Sequence, residues 1–145
     1  MTAVALAEHD EEIRTILLDG DHAVQIWPQA MILLEPAFDY QSRYLPEDVL
    51  ELIESDKALL WCVMTPREIL AASVTWIDEF PCERVLTIGF AGGDLHWLKS
   101  CIRYAKDYAA YAEVDAVEAH GRKGWVKGLR DEDFIQSSTT VRLEL

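Results

Sequence analysis

Apolar residues in this chain keep two different rhythms. Through residue 57 they recur at every third or fourth position, from 58 to 90 they fall into short continuous runs, and from 95 to 112 the helical spacing returns. Val24, Trp27, Met31 and Leu34 form one stripe. They predict a helix from Asp21, a suitable N-cap, to about Leu34, with Pro28 expected to kink it or delay its start. Pro46 beside acidic residues marks a second helix start, whose buried face is Val49, Leu50, Leu52 and Ile53. Residues 58–64, 69–77 and 84–90 read as three strands, divided by turns at Thr65-Pro66-Arg67-Glu68 and Phe80-Pro81-Cys82-Glu83. Such short links predict an antiparallel meander. Asp94 can cap the long helix that follows, on which Leu95, Leu98, Cys101, Ile102, Ala105, Tyr108, Ala109 and Ala112 share a face. Residues 115–120 predict a short strand parallel to the third, joined to it by that helix as a right-handed crossover. A short helix at 124–129 and an alternating strand at 136–145 complete the pattern, while residues 1–20 form a poorly defined N-terminal segment holding a short strand or frayed helix. The expected class is α/β (α+β): one domain over residues 1–145, with a mixed sheet, an antiparallel meander followed by a βαβ-type crossover, and helices on both faces.

A chain of 145 residues that is 50% hydrophobic suffices for one folded core. Charge changes the picture more. The net is −13, and residues 1–60 hold thirteen acidic and three basic side chains, against four and seven in residues 99–130. Nucleic-acid and anionic-membrane partners are therefore disfavoured, because like charge repels phosphate. The one dense basic cluster, Arg122, Lys123 and Lys127 around Trp125, is the candidate contact for a protein partner. Cys62, Cys82 and Cys101 share no ligand spacing, and the four histidines lack the spacing of a helical metal site, so no metal is expected. No apolar run is long enough to span a bilayer and the first ten residues lack the signature of a signal peptide, which predicts a cytoplasmic protein.

Candidate chemistry centres on the passage from strand to helix at Val85-Leu86-Thr87-Ile88-Gly89-Phe90-Ala91-Gly92-Gly93-Asp94. A glycine turn that opens a helix can hold phosphate, since free N–H groups and the positive end of the helix dipole converge there. The order of elements resembles the GNAT acetyltransferase fold. The segments Leu60-Trp61-Cys62-Val63, Leu70-Ala71-Ala72-Ser73-Val74-Thr75, Phe90-Ala91-Gly92-Gly93 and Val117-Glu118-Ala119-His120-Gly121-Arg122-Lys123-Gly124-Trp125 resemble GNAT-like proteins encoded by tailed bacteriophages. The resemblance spans roughly residues 20–145. It implies that two central strands splay apart to hold acetyl-CoA, and that Phe90, Ala91, Gly92, Gly93 and Asp94 stand where relatives bind the cofactor's diphosphate.

The residues at that place depart from the family's pattern. No basic residue lies between Arg84 and Lys99, and the carboxylate of Asp94 would repel a diphosphate. Catalytic candidates for amine acetylation are Glu79, with Asp78 beside it, and Glu118 or His120. Trp125 occupies the place where relatives often carry an acid-supplying Tyr. The sequence is accordingly expected to encode a non-catalytic structural or accessory module with no cofactor, docking to phage virion or host proteins in the host cytoplasm or within the virion. The alternative is an acetyl-CoA-dependent N-acetyltransferase acting on a small amine or a protein amino group.

Overall fold

The computed structural model describes residues 12–121 and 124–145. Its elements run β1 (Arg14–Leu18), α1 (Gly20–Asp39), α2 (Pro46–Glu54), β2 (Leu59–Met64), β3 (Ile69–Glu79), β4 (Arg84–Gly93), α3 (Leu95–Tyr111), β5 (Ala116–Ala119) and α4 (Gly124–Gly128), followed by a 3-10 turn at Arg130–Glu132. The sheet order is β1-β2-β3-β4-β5, antiparallel up to β4 and parallel between β4 and β5. The expected meander and crossover are both present. The strand predicted for residues 136–145 is not: these residues carry no regular structure, and Val141, Leu143 and Leu145 are exposed. Alternation alone does not supply the ladder hydrogen bonds that make a strand.

Side chains alternate across the sheet, so each strand feeds two cores. Leu60, Cys62, Ala72, Val74 and Phe90 meet α1 and α2 on one face. Trp61, Val63, Ala71, Leu86 and Ile88 meet α3 and the C-terminal turn on the other. Inside the second core the indole N–H of Trp61 donates to the hydroxyl of Thr75 at 2.8 Å, which satisfies both buried polar groups.

α1 starts earlier and ends later than its pattern predicts. Its cap is Asp19, whose carboxylate accepts from the backbone N–H of His22, rather than Asp21. The buried stripe is Ala23, Trp27, Ala30, Leu34 and Phe38, with Val24 turned out to solvent. Pro28 and Pro36 both lie within the helix on its exposed side, where water can satisfy the carbonyls they leave unbonded. In α3 the cap is Asp94, as predicted, accepting from His96 N–H at 2.8 Å, and Leu98, Cys101, Ile102, Ala105 and Ala109 are buried. The basic residues of α3 are engaged internally. Lys99 binds Asp131 at 2.6 Å, Arg103 binds the buried Glu132 at 2.8 Å, and Lys106 donates to the Glu132 carbonyl at 2.8 Å. The Lys99 hydrogen bond holds the Asp131 carboxyl below its ordinary 3.8. Its stabilising contribution is present above that value and lost as pH falls through the lowered folded value.

Burial pushes the thiols of Cys62 and Cys101 up to about 12, whereas Cys82 is exposed. A thiol-specific reagent at pH 8 should therefore titrate one cysteine in the native protein and all three after denaturation. Rapid reaction of three thiols without denaturant would contradict this packing. Among the described residues no helix is long and apolar enough to cross a membrane.

Candidate functional site

The site begins with a one-residue irregularity in β4. Its register with β3 runs Trp76↔Thr87 and Thr75↔Ile88, then shifts to Val74↔Phe90, leaving Gly89 without an opposite residue. A Cβ on Gly89 would run into the indole of Trp76, so only glycine leaves room for that ring. The shift also alters what β4 meets on its other side. β5 pairs with β4 from Val85↔Ala116 to Ile88↔Ala119, and His120 N–H donates to the Ile88 carbonyl at 3.2 Å. Beyond that link β4 continues to Gly93 with no strand partner on this side among the described residues.

A cleft of about 650 Å³ lies where the two strands part. Trp76, Asp78, Thr87 and Phe90 come from the sheet, and His120 and Trp125 from beyond β5. The connection from α1 to α2 forms another wall, which carries Tyr40 and Tyr44. Gln41 shapes that connection: its amide nitrogen donates to the carbonyls of Phe38 and Tyr44, and its amide oxygen accepts from the N–H groups of Arg43 and Tyr44. The C-terminal residues Arg142 and Glu144, ion-paired at 2.6 Å, also border the cleft.

Asp78 is held there by two neutral donors. Its Oδ2 accepts from the Thr87 hydroxyl at 2.6 Å and from the Trp76 indole N–H at 3.2 Å. Sequence reading reached Asp78 but missed this array, which is set by the register that the 80–83 turn gives β3 and β4: Asp78 stands opposite Val85, and Thr87 opposite Trp76. Glu79 projects from the end of β3 and binds Arg84 at 3.2 Å. Glu118 sits opposite Thr87 with its Oε1 3.5 Å from His120 Nε2, and of these two only His120 lines the cleft.

The candidate phosphate turn is corrected by the structure. Gly92 and Gly93 belong to β4, opposite Ala72 and Ala71, and form no loop. A Cβ on Gly92 would strike the Leu33 carbonyl of α1, so this glycine serves helix–sheet packing. Gly93, at φ +112°, turns the chain toward Asp94. Phe90 is buried and stacked on Phe38, and Ala91 faces the α3 side. At the candidate partner surface, Trp125 is half-buried at the cleft and Lys127 is exposed, while Arg122 and Lys123 lie outside the described residues. Among the described residues no three His, Cys, Asp or Glu side chains group as a metal site.

No protein-family model and no curated protein matches the chain. Solved structures do. An aminoglycoside acetyltransferase from an uncultured soil metagenomic sample, in complex with trehalose, matches with a TM-score of 0.73 at 14% identity, over 94% of this chain and 97% of its own. A predicted acetyltransferase with acetyl-CoA from Clostridium acetobutylicum matches at 0.68 and 9% identity, over 91% and 96%. A ribosomal-protein-alanine N-acetyltransferase from Brucella melitensis biovar Abortus 2308 matches at 0.62 and 14% identity, over 91% and 99%. The fold is that of the GNAT acetyltransferases. The expectation of a non-catalytic module is corrected accordingly, and the expectation of no cofactor is not confirmed. Two of these GNAT-fold neighbours are named acetyltransferases and the third a predicted acetyltransferase with acetyl-CoA.

The cleft fits one part of acetyl-CoA better than the other. The edge of β4 from Gly89 to Gly92, without a strand partner on this side among the described residues, offers backbone groups to the amides of a pantetheine arm, as a strand partner would. At the diphosphate end the N-terminus of α3 is already engaged by Asp94, and Lys99 is held by Asp131.

Proposed function

We propose that this chain is an acetyl-CoA-dependent N-acetyltransferase acting on a small amine. The observation that carries the reading is the parting of β4 from β5 after Ile88, which opens a strand edge onto the 650 Å³ cleft. Backbone groups of Phe90–Gly92 would hold the pantetheine arm, and the acceptor would enter from the side of Tyr40 and Tyr44. Bound acetyl-CoA would supply an acetyl thioester: the C–N bond to the deprotonated acceptor amine would form as the C–S bond breaks, with coenzyme A leaving as its thiol and the amine's proton passing to it or to solvent. The protein's part is to align the two and keep bulk water from the thioester. The likeness of its motifs to phage-encoded proteins supports reading the activity as one exercised in the cytoplasm of an infected cell.

The test is release of free thiol from acetyl-CoA by purified protein across a panel of primary amines, beside a thermal-shift series with the cofactor. A ligand at a hundredfold its Kd stabilises by about 2.7 kcal/mol, which a melt resolves. Neither thiol release nor a shift at millimolar acetyl-CoA would end this reading. Asp94→Ser keeps a side-chain oxygen for the helix cap but removes the charge. It should tighten acetyl-CoA binding about twofold to fivefold, the size of a charge–dipole contribution at a helix end of about 0.3–1 kcal/mol. Unchanged or weaker binding would show that the carboxylate does not oppose the diphosphate.

A further inference from the structure

A second question is what this cleft recognises in its acceptor. Carboxylates near the cleft differ in what they already bind. Glu144 is paired with Arg142 at 2.6 Å, and Glu118 faces His120 at 3.5 Å. Asp39 lies exposed at the end of α1. Asp78 is half-buried, and among the described residues its side-chain hydrogen bonds come from neutral donors, the Thr87 hydroxyl and the Trp76 indole N–H, both to Oδ2. Neutral donors orient a carboxylate without cancelling its charge. Oδ1 has no hydrogen-bond partner among the described residues. Since no buried side-chain oxygen or nitrogen among them lacks one, Oδ1 is open to solvent at the cleft.

Trp76, which donates to that carboxylate, belongs to a cluster of three rings. Tyr44, Trp76 and Phe90 lie with centroids 6.0–6.2 Å apart in every pairing, and Trp76 joins this cluster to Asp78 through its own N–H. A fixed negative charge against aromatic surface suits a cation with an apolar body: the charge meets the carboxylate and the body covers the rings.

We propose that Asp78 is the acceptor-binding residue, taking the substrate's ammonium on Oδ1, and that the acceptor is a small primary amine with an alkyl or aryl body packed on Tyr44 and Trp76, the rings in front of the buried Phe90. Thr87 is then a positioning residue, which fixes the carboxylate rotamer through its 2.6 Å hydrogen bond. The inference rests on the transferase reading for its reaction but not for its binding chemistry.

Direct binding therefore separates the two. The probes are phenethylamine and hexylamine, each beside the alcohol of the same skeleton, measured by calorimetry without acetyl-CoA on the wild-type protein and on Asp78→Asn. Asparagine keeps an oxygen for Thr87 and Trp76 and removes the charge. At least one amine should bind with its alcohol tenfold weaker or worse, and Asp78→Asn should weaken that amine tenfold or more. In turnover the amine KM should rise by the same factor, with the acetyl-CoA KM within twofold of the wild-type value. Amine binding that depends on Asp78 in a protein without turnover would uphold this inference while the transferase reading falls. Turnover with an unchanged amine KM in Asp78→Asn would overturn the inference while the transferase reading stands. Equal binding of amine and alcohol, or none by either amine, would also overturn it. Should Asp78→Asn fail to fold, Asp78→Ser reads the same loss.

Discussion

Gly92→Ala should unfold or severely destabilise the protein. The new methyl group would meet the Leu33 carbonyl, which is backbone and cannot rotate away. The clash lies in a close-packed layer, because Ala30 of α1 and Ala72 of β3 are fully buried in the same core. Small residues on both sides let the helix backbone rest directly on the sheet. Overpacking a core costs about 1–3 kcal/mol where side chains can yield. Here α1 itself must lift, so about 3 kcal/mol or more is expected, from a total stability on the order of 5–15 kcal/mol. The melting temperature should fall by about 10 °C or more. Gly124→Ala is the control, since its Cβ would meet nothing within 4 Å. It should be neutral or stabilise by about 0.4–1 kcal/mol. Equal melting temperatures for the two variants would refute the close approach of α1 to β4.

Phe38→Ala has the next largest expected effect. Phe38 is 6% exposed, stacked on Phe90 at 4.2 Å and set edge-on to Trp27 at 6.4 Å. Removing so large a buried ring costs about 3–5 kcal/mol. The damage should extend to the site, because Gln41 is tied to the Phe38 carbonyl and shapes the wall that carries Tyr40 and Tyr44. Denaturant titration should show a lower midpoint, and whatever amine binding the wild-type protein has should weaken with it. Ile32→Ala, on the solvent side of the same helix at 74% exposure, should change stability by less than about 0.5 kcal/mol. A loss in Ile32→Ala as large as in Phe38→Ala would contradict this helix orientation.

How far the sequence could be read depended on the range of the forces involved. The meander, the long helix and its Asp94 cap were legible because strand alternation, three-and-four spacing and capping are local. The cap at Asp19 was missed by two residues, because Asp19 and Asp21 are equally suitable and only the path from β1 into the helix chooses between them. Gly92 was misread because its reason for being glycine lies in α1, nearly sixty residues earlier. The hydrogen bond from Thr87 to Asp78 joins residues that are diagonal across two strands, a contact that periodicity along one strand does not announce. The alternation of residues 136–145 was real, but alternation does not by itself supply the ladder hydrogen bonds of a strand.

Because Lys99, Arg103 and Lys106 are spent on Asp131 and Glu132, little positive potential is left on α3 to offset the chain's surplus of acid. The molecule thus presents an electronegative field that reaches several ångströms into solution and is damped by electrolyte. Ammonium-bearing solutes are drawn in by that field and polyphosphates are held off, so added salt shifts the two encounter rates in opposite directions.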